Sequence, residues 1–364
     1  MNPFSMKPLK VILVGAGRVA SHYSQILSTY KEELKNLEVV GVIDTKEQRA
    51  KELAVALGCR YFTDVEMFTQ KSNADLCLVL TPSNTHFEVA KKALVRGINT
   101  VVEKPSTLLL SESLELQEIA NTQGLYLATI HQNRFNKAVV FAKSILENNL
   151  LGSLVSVSIR LIWSRPDSYY QDEWHGKWAS DGGVVSQQAF HHLDMARYLC
   201  GPISSLSSFG DSLGHPIEVD DTSVGIMKFA GGALGTFELT TAAPRIDREA
   251  SISILGTNGL LTIGGIALNK VTAFECDSSS DFSNVDTGNF SEEFDSGYGI
   301  SHHRVLQEIY RDICNGTRNY VSWQDSVETL KLIHGIYASQ ELRAVIDTKQ
   351  NSLSRKLGIK EEAK

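Results

Sequence analysis

The sequence predicts a two-domain α/β protein: a doubly wound parallel sheet, followed by an α+β domain with a large, mostly antiparallel open sheet. Three observations predict it. The chain has 364 residues, more than the roughly 250 to 300 that one core usually organises. Apolar runs alternate with helical periodicity up to about residue 130, which is typical of βα units. Farther along, short alternating strands are separated by Gly-Gly and Asn-Gly pairs, which indicate hairpins.

Composition excludes several classes of function. The formal net charge is -7 and the chain has no run of Lys and Arg, which argues against nucleic-acid and anionic membrane partners. No apolar stretch approaches the ~20 residues of a membrane span. The five cysteines are widely spaced, without a C-x-x-C pair, as expected of reduced thiols rather than a disulfide framework or a metal site. We therefore expect a cytoplasmic protein without a metal.

A glycine turn follows the first apolar run. Residues 11–20 read V-I-L-V-G-A-G-R-V-A, a buried strand that runs into a helix over Val19 to Tyr30. Gly15 permits a tight turn, and Gly17 lacks a Cβ, so that the backbone can lie against a pyrophosphate at the helix N-terminus. This context predicts a Rossmann dinucleotide-binding domain whose turn contacts come from Gly15, Gly17, Arg18 and Val19. The alternative is a glycine-rich βα turn without a ligand.

The second strand, Leu37 to Ile43, ends at an acidic residue. Asp44 is placed to bind the ribose hydroxyls of the adenosine and would repel a 2′-phosphate, so NAD is favoured over NADP. Lys46 and Arg49 lie close by and keep NADP open as the alternative cofactor. A second reading makes Asp44 the N-cap of a helix over Lys46 to Leu57.

Polar residues follow the third strand, Asp75 to Leu80. They lie at the carboxyl edge of the sheet, where such folds bind ligands. His86 is expected to begin the helix that runs to Arg96. The candidates for contact with the ribose and nicotinamide are Thr81, Pro82 and Asn84.

The fourth strand, Asn99 to Val102, exits into Glu103-Lys104-Pro105. A lysine at this edge, beside the expected nicotinamide, can donate to a substrate oxygen and stabilise charge that develops on it. Glu103 can pair with Lys104 or contact the cofactor. A helix over Ser111 to Gln123 and a strand over Leu125 to Thr129 complete this domain.

The ordered set of motifs resembles the glucose-fructose oxidoreductase / inositol dehydrogenase / rhizopine catabolism (Gfo/Idh/MocA) family over essentially the whole chain. The set comprises Gly15-Ala16-Gly17, Asp44, Thr81-Pro82, Glu103-Lys104-Pro105 and the segment from Gly182-Gly183 to Asp194. The resemblance implies a cis bond before Pro105 and a cofactor contact from Asn133, with Arg134 holding the loop.

The pattern of predicted helices and strands changes after residue 130. A helix over Phe135 to Asn148 and a strand over Leu154 to Trp163 lead into the predicted hairpins, and a long helix spans Gln324 to Arg343. We expect domains at 1–130 and 131–345, with 346–364 a polar tail that is frayed from Lys349 onward. An exposed antiparallel face in the second domain, as the family suggests, favours a homo-oligomer, either a dimer or a tetramer.

An aromatic segment with interleaved hydrogen-bond donors begins at Trp163. Aromatic faces stack on sugar rings while donors bind hydroxyls and phosphates. An aromatic loop that packs on its own domain would look similar. Tyr298 and His302 are expected to rim the same cleft. The predicted substrate-binding residues are Arg165, Trp174, Trp178, Gln188, His192 and Tyr298.

The segment from Asp181 to Asp194 supplies the second predicted catalytic group. The resemblance implies that His191 takes the proton of the substrate hydroxyl, with an Asp four residues earlier, where this chain has Gln187. An amide cannot stabilise an imidazolium as a carboxylate does, so we expect Lys104 and His191 to carry acid–base chemistry, with Asp194 as an orienting residue. Family members that act on nucleotide-linked sugars are likewise amidic at this position.

These inferences predict an NAD(P)-dependent oxidoreductase that transfers hydride between nicotinamide and a secondary alcohol or ketone of a sugar, preferably a nucleotide-linked sugar. The cofactor is expected to be NAD. The alternatives are an inositol or free-sugar dehydrogenase, a glycosidase that uses NAD within its cycle, and an NAD(H)-binding sensor without turnover.

Overall fold

The computed structural model describes residues 7–64, 66, 73–277, 285–294 and 297–359, which form two compact units. The first contains the described residues up to Gln132 together with Ile300–Val327, and the second contains Asn133–Gly299 and the residues from Glu328 onward. These units differ from the expected domains in the segment 300–327. The difference has a physical cause, because Tyr320 donates to the Thr129 carbonyl oxygen at 3.0 Å and Trp323 donates to the Ser113 carbonyl oxygen at 2.9 Å.

The first unit is a six-stranded parallel sheet of order β3-β2-β1-β4-β5-β6, the doubly wound order of dinucleotide-binding folds. Its strands are β1 (Leu9–Val14), β2 (Leu37–Ile43), β3 (Arg60–Phe62), β4 (Leu76–Val79), β5 (Asn99–Val102) and β6 (Leu127–Thr129). Its helices are α1 (Arg18–Thr29), α2 (Glu47–Leu57), α3 (His86–Val95), α4 (Leu110–Gln123) and α7 (His302–Asn315). The predicted Rossmann fold is confirmed.

The strand order fixes where this unit can bind a ligand. The chain runs outward from β1 to β3 on one side, returns to β4 beside β1, and then runs outward to β6. The crevice at this reversal lies beyond the carboxyl ends of β1 and β4. The turn at Gly15 follows β1, and Thr81 lies just beyond β4. The predicted cofactor residues therefore lie at the edge where this fold binds nucleotides.

The second unit contains an eight-stranded sheet of order β13-β12-β11-β7-β10-β9-β8-β14. All its neighbouring strands are antiparallel except β7 and β10, so the predicted mostly antiparallel sheet is confirmed. The strands are β7 (Leu154–Ile162), β8 (Ile203–Asp211), β9 (Thr222–Phe229), β10 (Leu234–Thr240), β11 (Glu249–Gly256), β12 (Gly259–Gly264), β13 (Lys270–Cys276) and β14 (Ile346–Asp347). Both predicted hairpins form, β9–β10 around Gly231-Gly232 and β11–β12 around Asn258.

Three further α-helices lie in the part of the chain that the structure describes. Helix α5 spans Lys137–Glu147 and helix α6 spans Phe190–Cys200, both in the second unit. Helix α8 spans Trp323–Leu342; its residues up to Val327 are counted with the first unit and the rest with the second. Among the helices that the structure describes, none is long and apolar enough to cross a membrane.

The expectation of a frayed C-terminal tail is wrong for the residues that the structure describes. Strand β14 pairs with β8, and Leu357 is fully buried, with a methyl group 2.3 Å from where a Cβ on Gly182 would lie. The Gly358 N–H donates to the Trp178 carbonyl oxygen at 2.9 Å. One buried leucine and a few hydrogen bonds fix the segment despite its polar composition. Residues 360–364 lie outside the described residues.

Candidate functional site

Gly15 turns the chain out of β1. It adopts φ of +103°, and a Cβ at this position would lie 2.6 Å from the Leu80 carbonyl oxygen. Its own N–H donates to the Ile43 carbonyl oxygen at 2.7 Å. A side chain is therefore excluded here both by conformation and by the adjacent strand exit.

Gly17 is glycine for a different reason. It is the N-cap residue of α1, its φ of -86° is open to any residue, and among the described residues no atom beyond its own chain neighbours lies within 4 Å of a Cβ at this position. Because the N-cap residue is a glycine, it offers no side-chain cap, and the positive end of the helix dipole at this terminus suits an anion. The backbone at Gly17 thus provides a cradle that a side chain would fill, which fits a closely approaching pyrophosphate.

Asp44 supports the turn from the end of β2. Its Oδ2 accepts a hydrogen bond from the Ala16 N–H at 2.7 Å, and its Oδ1 accepts one from the Lys46 N–H at 2.8 Å. The alternative that Asp44 is the N-cap of α2 is wrong, because Lys46 occupies that position. A carboxylate has about four lone-pair sites, so this half-buried side chain retains acceptor capacity for ribose hydroxyls.

The predicted nicotinamide contacts follow β4. Pro82 and Asn84 are exposed and Thr81 is half-buried. The Thr81 hydroxyl oxygen is buried and has no hydrogen-bond partner among the described residues. An orphaned hydroxyl at this edge fits a ligand that supplies the missing partner.

His86 begins α3, as expected, but the structure gives it a further contact that the sequence did not predict. Its buried ring places Nδ1 at 2.7 Å from the Pro105 carbonyl oxygen and Nε2 at 2.8 Å from the Thr81 carbonyl oxygen. Burial lowers the pKa of His86 to about 4. His86 therefore connects the exits of β4 and β5, and its place at the end of the T-P-x-x-x-H string, four residues after Pro82, was the only signal in the sequence.

Lys104 and Glu103 follow β5, and the peptide bond between Lys104 and Pro105 is cis, as the resemblance implies. Lys104 is half-buried, whereas Glu103 is buried and its carboxylate accepts hydrogen bonds from the Tyr23 hydroxyl at 2.9 Å and from the Lys104 N–H at 3.1 Å. Burial raises the pKa of Glu103, and these two donors oppose that rise. The buried Glu103 carboxylate thus fixes the backbone N–H of Lys104 from inside the first unit.

His302 does not rim a substrate cleft as expected. It begins α7 in the first unit, is buried, and its Nε2 lies 3.8 Å from Glu103 Oε1. Sequence reasoning could not find this contact, because about two hundred residues separate the two side chains. Only the pair of adjacent histidines, His302 and His303, marked the position.

Two glycines open the predicted catalytic segment in the second unit. Gly182 and Gly183 have φ of +82° and +77°, and a Cβ on Gly183 would lie 2.2 Å from Asp220 Oδ1. A π-helical turn over Val184–Gln188 follows, and α6 begins only at Phe190. Gln187 and His191 are therefore not on one continuous α-helix, because the π-helical turn ends between them.

The segment buries its polar side chains. Gln187, Gln188, His191 and His192 are each at least nine-tenths buried. The His192 ring nitrogens have no hydrogen-bond partner among the described residues, and burial lowers the pKa of His192 to about 4. Buried polar atoms of this kind require a partner, which a bound polar ligand can supply.

Asp194 was expected to orient His191, and in the structure its carboxylate binds Arg134 and Thr329 and so fixes α6. Its two oxygens accept hydrogen bonds from Arg134 Nε at 2.9 Å and Nη2 at 2.7 Å, and Thr329 adds a third at 2.9 Å. Asp194 and Arg134 are both buried. The expected role of Arg134 in holding loop geometry is therefore visible in the structure. Asn133, a predicted cofactor contact, is buried beside Arg134 and counted with the second unit.

Aromatic contacts bring three predicted substrate residues together. The Arg165 guanidinium lies 4.8 Å from the Trp163 ring centre and 5.7 Å from that of Tyr169. Tyr169 accepts a hydrogen bond from Gln188 Nε2 at 3.3 Å, and the Trp163 ring lies edge-on to His192 at 6.0 Å. We call Trp163, Arg165, Tyr169, Gln188 and His192 the aromatic cluster.

The other predicted substrate residues have different surroundings. Trp174 stacks on His175, whose ring lies 4.1 Å from Tyr169, so Trp174 flanks the aromatic cluster. Tyr298 is exposed and follows Gly297, where a Cβ would lie 3.8 Å from Trp163. Trp178 instead contacts Tyr337 and Lys356 and so holds the C-terminal segment.

No cluster of His, Cys, Asp and Glu in the described part of the chain could hold a metal ion. The groups fit a nicotinamide dinucleotide instead: an open glycine cradle, an uncapped helix N-terminus, an acidic residue after β2 and an orphaned hydroxyl after β4. When bound, such a cofactor supplies the hydride acceptor or donor that protein side chains lack.

Comparison with known proteins agrees with this fit. Residues 9–131 match the model described as "Oxidoreductase family, NAD-binding Rossmann fold", and residues 139–262 match the "GFO/IDH/MocA C-terminal domain". The chain is 26% identical over 348 residues to scyllo-inositol 2-dehydrogenase (NAD(+)) of Bacillus subtilis, covering 92% of this chain and 94% of the relative. It is 22% identical to myo-inositol 2-dehydrogenase of Thermotoga maritima, covering 92% of this chain and 96% of the relative.

A solved structure shows the same architecture. The WlbA dehydrogenase from Bordetella pertussis, in complex with NADH and UDP-GlcNAcA, superposes with a TM-score of 0.89 at 26% sequence identity, covering 94% of this chain and 99% of that one. The two matching family models, the relatives and the observed fold agree with one another. The chain is an NAD-dependent oxidoreductase that belongs to the Gfo/Idh/MocA family.

Proposed function

We propose that this oxidoreductase acts on a secondary alcohol or ketone of a nucleotide-linked sugar, with Lys104 and His191 as its catalytic residues. The observation that carries the proposal is the aromatic cluster, which surrounds an arginine with two aromatic faces and lies against the segment that bears His191. Aromatic faces stack on sugar rings or bases, and a guanidinium binds phosphate in a bidentate manner. Substrates that carry both a sugar and a diphosphate match both chemistries.

Lys104 is proposed to bind the reacting oxygen of the substrate. A half-buried ammonium is a stronger electrostatic partner than one in water, and it stabilises negative charge as that charge develops on an alkoxide-like oxygen. His86 holds the Pro105 carbonyl and Glu103 holds the Lys104 N–H, so the backbone that carries the lysine is fixed on both sides. A fixed donor loses little orientational freedom when substrate binds.

His191 is proposed to exchange the proton of the substrate hydroxyl. It lies in the first turn of α6, and the anchor between Asp194 and Arg134 fixes that helix. Gln187 can donate or accept a hydrogen bond but does not stabilise an imidazolium as a carboxylate would. We therefore expect the protonated form of His191 to be short-lived. The proposed role of Gln187 is to orient the substrate through its hydrogen-bonding amide.

The relatives support two substrate classes. The Bordetella pertussis structure contains NADH and UDP-GlcNAcA, which favours a nucleotide-linked sugar. The Bacillus subtilis and Thermotoga maritima relatives are inositol dehydrogenases, which makes a cyclic polyol the second candidate. Gln187 counts against the second candidate, because the resemblance implies an Asp at that position in polyol-oxidising members.

A substrate panel tests the proposal. Purified protein is mixed with NAD and UDP- or GDP-linked sugars, myo- and scyllo-inositol or free hexoses, and absorbance is followed at 340 nm. We expect turnover with a nucleotide-linked sugar. Turnover confined to inositols or free sugars would contradict the proposed substrate class.

Two variants then test the residue roles. Lys104→Ala and His191→Asn are each expected to lower kcat/KM by about 100-fold or more, with NAD binding retained. Lys91→Ala is the matched control, since Lys91 is, like Lys104, a half-buried lysine of the first unit, and its ammonium pairs with Glu115 at 2.6 Å. If Lys104→Ala keeps the turnover of the control, the assignment of Lys104 fails.

A further inference from the structure

Glu103 lies at the inner end of a group of titratable side chains in the first unit. Its Oε1 accepts the Tyr23 hydroxyl at 2.9 Å and its Oε2 accepts the Lys104 N–H at 3.1 Å. Both oxygens therefore act as acceptors, as in an ionised carboxylate. The buried site opposes this charge, since burial raises the pKa of Glu103.

His302 connects Glu103 with the surface helix α1. Its Nε2 lies 3.8 Å from Glu103 Oε1, and its Nδ1 lies 3.3 Å from Nε2 of His22. The His302 ring is buried, whereas His22 on α1 is half-buried. The three side chains therefore lead from the residue beside Lys104 to the outside of the unit.

One arrangement of protons satisfies both contacts. His22 donates from Nε2–H to Nδ1 of His302, and His302 directs Nε2–H toward the Glu103 carboxylate. The opposite tautomer of His302 would turn a lone pair toward that carboxylate. Burial lowers the pKa of both histidines, so both rings are neutral while they hold this arrangement.

We propose that His302 and His22 are positioning residues that keep Glu103 ionised and thereby set the charge on Lys104. The proposal rests on the proposed function, in which Lys104 binds the reacting oxygen. It also specifies a proton path: His22 takes a proton at Nδ1 and passes its Nε2 proton to Nδ1 of His302. His302 then passes its own Nε2 proton to Glu103 Oε1, once a side-chain movement shortens the 3.8 Å between these two atoms to hydrogen-bond distance, and the carboxylate becomes a neutral acid. Acidic solution thus removes the negative charge beside Lys104.

The surrounding charged groups are compatible with this path. His302 faces His22, Tyr23, Glu103 and His303, and Glu103 faces Tyr23 and Lys104. His303 stacks on Tyr30 with ring centres 3.8 Å apart and hydrogen bonds to the Ile300 carbonyl oxygen at 2.6 Å. His303 is therefore a neighbouring buried histidine of the same helix with other partners, which makes it a matched control.

The test measures how fast the Lys104 amine reacts, since only the neutral amine is a nucleophile. Full-length protein is pulsed with acetic anhydride at pH 8, and labelling of Lys104 relative to Lys91 is measured by peptide mass spectrometry. Glu103→Gln and His302→Leu are each expected to raise relative labelling about threefold, because the nearby negative charge is lost. His303→Gln is expected to leave labelling unchanged.

Two results would overturn the proposal. One is relative labelling of Lys104 in His302→Leu at the wild-type level while Glu103→Gln raises it, and the other is no change in Glu103→Gln. Nitrogen-15 NMR of the wild-type protein gives a readout that does not depend on a variant folding: the protonated nitrogen of His302 is expected to be Nε2, and a protonated Nδ1 would contradict the path. Neither measurement uses substrate, so failure of the substrate panel and failure of this proposal are distinguishable.

Discussion

Gly15 and Gly17 are two residues apart, yet the structure excludes a side chain only at Gly15. At Gly15 the protein itself excludes a side chain, through φ of +103° and the Leu80 carbonyl oxygen. At Gly17 the described residues leave the Cβ position open. A bound ligand is the reason that we propose for glycine at this position, so substitution there is expected to separate cofactor binding from folding.

We expect Gly17→Val to weaken NAD binding by at least about 10-fold while leaving the thermal midpoint within roughly 2 °C, because a side chain would occupy the pyrophosphate cradle. NAD titration by calorimetry and thermal unfolding without ligand measure the two effects. Gly231→Val is the matched control, since Gly231 likewise has no atom within 4 Å of its Cβ position and no positive φ. Equal NAD affinity in the two variants would show that the cradle does not face the cofactor.

In the first unit, the site residues that could be predicted from the sequence were those marked by their position next to a predicted strand. Gly15, Gly17 and Asp44 each follow a strand, and the strand order brings their positions to one edge. The contact of His302 with Glu103 was not predictable, because the two residues lie far apart along the chain and a contact across such a distance leaves no periodicity. The partners of His86 are close in sequence, but they are backbone carbonyl oxygens, which leave no mark in the residue pattern.

At the scale of elements, strands with apolar patterning were predictable and polar ones were not. β9 is bounded as the alternation predicts, and its turn at Gly231-Gly232 is a hairpin signal. β8 reads I-S-S-L-S-S-F-G-D and was missed, since its serines lack strand propensity; pairing with β9 and β14 forms it. Tertiary pairing overrides local preference here.

The C-terminal segment shows how one apolar residue can fix a polar stretch. Leu357 is 0% exposed, whereas Leu353, four residues earlier, is 46% exposed. We expect Leu357→Ala to destabilise the second unit by ~2–5 kcal/mol, because it removes buried methyl groups beside Gly182 and leaves a cavity. Leu353→Ala is expected to change stability by less than about 0.5 kcal/mol.

Thermal unfolding measured by calorimetry compares these two leucine variants. A clear fall in the midpoint is expected for Leu357→Ala alone. Should both variants unfold at the wild-type temperature, the C-terminal segment would contribute nothing to the second unit. Because Leu357 lies against the glycine turn that precedes His191, activity of the variant also reports on how firmly that turn is held.

At the scale of the whole molecule, the chain combines a unit whose sheet is covered on both faces with a unit whose sheet has one outer face. On that outer face Phe209, Val224, Ile226, Leu234 and Leu255 are all more than 40% exposed. Cross-strand pairing places Ile226 opposite Ser207 and Thr236, in the middle of this face. Arg160 pairs with both Glu238 and Glu249 on the same sheet, so each of these three charged side chains has a partner within the face.

A sheet face with large apolar side chains and internally paired charged groups fits a second copy of itself, since an isologous contact places the same patch on both sides. We expect the wild-type protein to be a dimer or tetramer at micromolar concentration, and Ile226→Glu to lower its mass by light scattering, because a carboxylate at the centre of the contact would be buried without a partner. Val55→Glu is the matched control, as Val55 is 75% exposed on α2 of the first unit. A monomeric wild type, or an Ile226→Glu variant with the mass of the control, would show that this face does not mediate self-association.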